Sequence, residues 1–114
     1  LDDIYWSGGG ELMTVSNTNS ILEEFALKDN YPNPFNPVTT LRYEIAVNTN
    51  VKITIYDMMG RLVKILTDKM EMAGYKSIKW NGKNDRNEPV SAGLYLYTIQ
   101  AGDYRKTRKM VLIK

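Results

Sequence analysis

Neither histidine nor cysteine occurs anywhere in the 114 residues. Their absence excludes Ser-His-Asp and Cys-His nucleophilic centres, thiolate zinc sites and disulfides. The commonest general acid–base at neutral pH goes with histidine. A carboxylate pair or a lysine is what remains for catalysis, and the chain is expected not to be an enzyme. Three groups of side chains can still recognise something. Arg105, Lys106, Arg108, Lys109 and Lys114 crowd the last twelve residues against Asp103 alone. Asn84, Asp85, Asn87 and Glu88 offer oxygens to a hard cation such as calcium, but Lys83 occupies a would-be ligand position and the EF-hand spacing fails. Tyr95 and Tyr97, two apart on one strand face, with an outward Tyr56, are the aromatic surface a sugar ring would stack on. No cofactor and no metal are expected.

The basic end belongs to an uneven charge distribution. Net charge is +2, yet residues 1–30 hold six acids and one base, and the remaining 84 carry a net +7. A basic terminus is one footprint of a nucleic-acid surface. Charges alternating along a strand are more simply a solvated strand face, so no nucleic-acid partner is expected. No run of ~18 apolar residues is present to span a membrane as a helix. The opening Leu1-Asp2-Asp3 is not a secretory signal peptide, and a start without Met is expected of a processed or excised piece.

The elements that must position these groups read as strands. Leu41, Tyr43 and Ile45 alternate with Thr40, Arg42 and Glu44, and Val51, Ile53 and Ile55 with Lys52, Thr54 and Tyr56. Ile78 and Trp80 alternate with Ser77 and Lys79. Leu94 and Leu96 oppose Tyr95, Tyr97 and Ile99, and Met110 and Leu112 oppose Val111 and Ile113. Period-two alternation buries one set and exposes the other. Strands are expected near 25–29, 38–46, 50–57, 61–67, 75–81, 93–101 and 104–113. No sustained 3.6-residue stripe supplies the crossover helices that parallel strands need. The expected fold is all-β, a seven-stranded immunoglobulin-like antiparallel sandwich over residues 26–114. Its expected core includes Phe25, Leu27, Tyr31, Phe35, Leu41, Tyr43, Ile45, Val51, Ile53, Ile55, Val63, Ile78, Trp80, Leu94, Leu96, Met110 and Leu112. Residues 14–25 have linker composition, with room for one helical turn near 21–25. Residues 1–13 read as the tail of a preceding domain, a jelly roll or another β-sandwich.

Turn chemistry supports the same frame. Gly60, after Asp57-Met58-Met59, accepts the positive φ of a bulged hairpin. Asn81-Gly82 and Asn84-Asp85-Arg86-Asn87 are loop signals, since Asx side chains bond nearby backbone. Pro32, Pro34 and Pro37 within Asn30–Pro37 forbid a helix and interrupt any ladder, so the run is expected to be an ordered corner from which Tyr31 and Phe35 plug the core.

Tyr31-Pro32-Asn33-Pro34-Phe35-Asn36-Pro37, followed by Thr39 and Leu41-Arg42-Tyr43, resembles the opening of the C-terminal sorting domain of type IX secretion substrates. Ile55-Tyr56-Asp57-Met58-Met59-Gly60-Arg61-Leu62-Val63 is similar to that family's central hairpin. Trp80-Asn81-Gly82, then Val90-Ser91-Ala92-Gly93-Leu94-Tyr95-Leu96-Tyr97, resembles its Trp-x-Gly loop and Gly-x-Tyr strand, and Lys109–Lys114 its terminal strand. The immunoglobulin-like domain of the flagellar hook-capping protein shares the hairpin and the Trp loop. Asn87 departs from the family's usual Gly, and Asn81 stands where Asp is common. The resemblance implies a secreted or surface location reached through the periplasm and outer membrane. It also implies recognition by the type IX translocon and sortase components, and an N-terminal cargo domain attached before a cut in the linker. Arg105, Lys106, Arg108, Lys109 and Lys114 are then the candidate recognition residues. Pro32, Pro34, Phe35, Pro37, Gly60, Trp80, Gly82, Gly93 and Tyr95 are the structural motif. A carbohydrate-binding or adhesive module is the alternative.

Overall fold

The computed structural model describes residues 24–114, all-β, with no helix among them. The expected tail at 1–13 and the connector up to residue 23 lie outside the described residues. Seven strands are formed: β1 (Ala26–Leu27), β2 (Thr39–Ile45), β3 (Thr49–Asp57), β4 (Leu62–Glu71), β5 (Gly74–Trp80), β6 (Gly93–Ala101) and β7 (Tyr104–Leu112). They build two antiparallel sheets, ordered β1-β2-β5 and β4-β3-β6-β7. The fold is the expected immunoglobulin-like sandwich, and β4 runs four residues past its expected end.

Burial follows the alternation in β2 and β3, where Leu41, Tyr43, Ile45, Val51, Ile53 and Ile55 face inward. Leu27, Phe35, Trp80, Met110 and Leu112 join them, while Phe25, Val63 and Ile78 pack partly buried against this core. Two expectations are corrected. Tyr31 is 72% exposed, and its neighbour Asn30 is buried instead. Strand β6 has the opposite parity: Tyr95, Tyr97 and Ile99 are inside, and Leu94 and Leu96 are half-buried on the outer face. Tyrosine tolerates the interior here because each hydroxyl finds a partner. Tyr95 donates to the Ser91 carbonyl at 2.6 Å. Tyr97 donates to the Lys28 carbonyl and accepts from the Asn30 N–H, both at 2.9 Å. Buried in this way, neither ring is a platform for a sugar.

A polar link crosses the sandwich. Tyr43 of β2 donates to Glu71 Oε1 of β4 at 2.9 Å, and Thr67 donates to Glu71 Oε2 at 3.3 Å. All three side chains are buried. The link exists because β4 continues to Glu71.

Candidate recognition surface on the terminal strand

Strand β7 is the last strand of the larger sheet, paired along one edge with β6 from Ala101↔Tyr104 to Gly93↔Leu112. Its parity is set by Met110 and Leu112, which point into the core. Tyr104, Lys106 and Arg108 share that parity, and Arg105, Thr107, Lys109 and Val111 point outward. The structure therefore divides the expected recognition set. Arg105 and Lys109 are exposed on the outer face, and Lys106 is exposed although it shares the inward parity. Lys114 lies exposed beyond β7. Arg108 is half-buried and faces inward. Its Nε donates to the Leu27 carbonyl at 2.6 Å, and its Nη1 donates to Asp29 Oδ1 at 3.0 Å.

The proline run seals one end of the strand. Phe35 N–H donates to the Val111 carbonyl and Ile113 N–H to the Phe35 carbonyl, both at 2.9 Å. Asn33 Oδ1 accepts from Val111 N–H at 3.0 Å. Pro32, Pro34 and Pro37 interrupt any longer ladder, and all three X-Pro bonds of the run are cis. Tyr31 bridges antiparallel to Thr40 of β2, and Phe35 makes the run's bridge to β7, parallel to Leu112. In an antiparallel ladder the backbone groups of alternate residues face the same edge. Val111 and Ile113 therefore mark Arg105, Thr107 and Lys109 as the residues whose N–H and C=O look outward. No strand pairs with β7 there among the described residues.

The residues below β7 hold this edge in place. Phe35 packs on Trp80 with centroids 5.6 Å apart, and Tyr95 meets the same indole edge-on at 5.4 Å. Trp80 Nε1 donates to the Lys83 carbonyl at 2.9 Å, which ties the Asn81–Ala92 loop to the core. Gly82 has φ +72°, and a Cβ there would stand 3.2 Å from the Pro37 carbonyl oxygen. Gly93 opens β6 opposite Leu112. Asn87 takes φ +63°, the left-handed conformation for which asparagine is the best substitute for glycine.

Gly60, at φ +82°, closes the β3–β4 hairpin. Its N–H donates to the Asp57 carbonyl, and Asp57 N–H to the Arg61 carbonyl, both at 3.0 Å. This is a type I turn with a glycine bulge. The Arg61 backbone N–H, helped by the Arg61 side chain and the Met59 N–H, holds the Asp57 carboxyl below its ordinary value.

The oxygen-rich loop is occupied by its own chain. Asn84 Oδ1 accepts from the Arg86 and Glu88 N–H groups at 2.9 and 3.0 Å. Asp85 Oδ1 accepts from Ile65 N–H at 3.3 Å and lies 3.8 Å from Lys64 Nζ. No group of three Asp, Glu, His or Cys side chains placed to hold a metal ion occurs among the described residues.

One component of the surface escaped the sequence. Reversed parity in β6 places Leu96 between Tyr56 of β3 and Lys109 of β7, and Leu94 beside Val111. A half-buried apolar row thus runs across the outer face to the basic edge. The parity of the flanking strands carried the signal, since Leu96 pairs across from outward residues on both sides.

Residues 29–114 match the family described as the secretion system C-terminal sorting domain. No curated protein matches the chain. Among solved structures, the latent dimeric PorU of Porphyromonas gingivalis superposes with a TM-score of 0.63 at 21% identity, covering 90% of this chain and 10% of that one. PorZ of the same organism, an essential bacterial surface component of its type IX secretion system, gives 0.54 at 21% identity over 77% of this chain and 11% of PorZ. FlgD of P. aeruginosa gives 0.52 at 19% identity over 82% of this chain and 74% of FlgD. At these identities the likenesses establish the fold, and the chain spans about a tenth of the PorU and PorZ lengths. The four sequence blocks, the sandwich they build and the match over residues 29–114 lead to one statement: the chain belongs to the type IX secretion C-terminal sorting domain family.

Proposed function

We propose that this domain is a non-catalytic signal that carries an attached N-terminal cargo through the type IX machinery, across the outer membrane, to the cell surface or the medium. The recognised feature is the exposed part of β7: Arg105 and Lys109 on the outer face beside an open backbone edge, Lys106 exposed on the other face, and Lys114 beyond the strand. The carrying observation is that the strand is sealed at Val111–Ile113 by the proline run and left unpaired at Arg105–Lys109 among the described residues. A translocon component can meet such an edge by strand addition and by charge. Sortase components are the second class of partner, acting on the connector at residues 14–29.

The test places the full 114-residue chain behind a periplasm-directed fluorescent protein in a host with the type IX machinery. Wild type is expected outside the outer membrane. Deleting β7 removes half of the β6 pairing and disturbs the fold, so the informative variant is Arg105→Glu, Lys106→Glu, Lys109→Glu. Its export is expected to fall at least about tenfold while circular dichroism stays native, as for loss of a few charged contacts. Undiminished export of that variant rejects the β7 surface, and no export of the wild-type fusion rejects the sorting role.

A further inference from the structure

Arg108 was expected among the recognition residues, yet it points the other way, into the segment through which the chain joins the sandwich. That segment, Glu24–Asn30, has little sheet of its own. Strand β1 pairs with β2 through Ala26↔Glu44 and Leu27↔Tyr43 only, and Lys28 N–H then donates to the Arg42 carbonyl at 2.9 Å. The next backbone groups are held by side chains of the opposite sheet. Arg108 takes the Leu27 carbonyl at 2.6 Å and Asp29 Oδ1 at 3.0 Å. Tyr97 takes the Lys28 carbonyl and the Asn30 N–H, each at 2.9 Å. Upstream, the Phe25 ring stacks on Tyr104 at 5.5 Å. Arg108 and Tyr104 both belong to β7, and they flank the buried Leu27 plug.

We propose that β7 is the latch of this leading segment: Arg108, with Tyr97 and Tyr104, keeps residues 24–30 closed against the sandwich. The segment is a strap whose accessibility to a protease is set by the terminal strand. The two ends of the domain are thereby coupled. A partner that draws Arg108 away from Leu27 and Asp29 withdraws two hydrogen bonds from the strap at once and favours its open form. Under the sorting role proposed above, on which this biological consequence rests, engagement of the terminal strand licenses cleavage near the cargo junction. Placement decides which basic residue does this. Lys109, one position on, carries the same charge on the outer face and touches no part of the strap among its hydrogen bonds and ion pairs in the described residues.

The test uses the purified 114-residue chain without any secretion machinery, so its outcome is independent of whether the domain directs export. Amide exchange of Lys28 and Asn30 and cleavage within residues 24–30 by a broad-specificity protease are followed by mass spectrometry. Arg108→Ala is expected to speed both by about tenfold or more, the consequence of losing charge-assisted hydrogen bonds. Lys109→Ala is expected to leave both at the wild-type rate. Near-UV circular dichroism checks that Arg108→Ala is folded. If it is not, Arg108→Lys, which keeps the charge without the two-pronged hold, and Asp29→Asn take its place, with a rise of a few-fold expected in each. Wild-type exchange and cleavage in a folded Arg108 variant overturn the latch. An equal acceleration by Lys109→Ala also overturns it, since charge on the strand would then matter and the inward hold would not.

Discussion

Single residues fix the geometry on which the surface depends, and two glycines separate the ways they do so. Gly60 and Gly82 both have φ in the left-handed region, at +82° and +72°. Around Gly60 a Cβ meets nothing within 4 Å, whereas at Gly82 it meets the Pro37 carbonyl oxygen at 3.2 Å. Gly60→Ala is therefore expected to cost about 1 kcal/mol from backbone strain alone. Gly82→Ala adds the displacement of Pro37 and is expected to cost about 2–3 kcal/mol. Urea unfolding of both variants checks this, and equal costs would show that the proline run yields freely. Tyr97 acts through its hydroxyl as well as its ring. Tyr97→Phe keeps the packing and leaves the Lys28 carbonyl and the buried Asn30 N–H without their partner. The expected loss is about 1–3 kcal/mol in the same measurement; a loss of a few tenths would mean that water replaces the hydroxyl there.

At the level of elements, the proline run and β7 behave as one unit. Phe35 contributes both a bridge to β7 and a ring packed on Trp80. Phe35→Ala is expected to cost about 3–5 kcal/mol as a buried aromatic truncation. It is also expected to raise amide exchange at Ile113, whose N–H donates to the Phe35 carbonyl. An unfolding cost without a change at Ile113 would show that the backbone bridge stands without the ring. The elements also show what the sequence could convey. Strands β2 and β3 were legible because their two faces differ in polarity, Leu41 against Arg42 and Ile53 against Lys52. Strand β6 was not, because Leu94 and Leu96 compete with Tyr95, Tyr97 and Ile99, and either set makes an apolar face. The choice fell to hydroxyl partners: Ser91, four residues away, for Tyr95, and Lys28 and Asn30, nearly seventy residues away, for Tyr97. Arg108 was legible in part. Met110 and Leu112 already set the parity that turns it inward, but Asp29 as its partner is a tertiary fact. Glu71 lay beyond the expected end of β4, so its link to Tyr43 had no local signal.

For the molecule as a whole, the two sheets are held by an apolar core and by buried phenols, and the phenols give the fold a distinct response to alkali. Burial raises the pKa values of Tyr43, Tyr95 and Tyr97 above the ordinary tyrosine value of 10.0. At Tyr43 the effect is greatest, because the hydroxyl also donates to the Glu71 carboxylate, whose charge opposes a second negative charge beside it. The sign follows from linkage. Where the folded value lies above the unfolded one, the folded state keeps its protons longer, so these groups contribute their full stability below about pH 10 and lose it as pH rises further. The guanidinium midpoint is expected to be insensitive to these three groups through neutrality and to fall above about pH 10. Tyrosinate absorbance gives the second readout. Tyr43, Tyr95 and Tyr97, three of the eight tyrosines, are expected to ionise only as near-UV circular dichroism collapses, in one cooperative step with unfolding. If all eight ionise while that signal stays native, the phenols are not buried as described, and the inward parity of β6 on which the outer apolar row and the basic edge both depend is wrong.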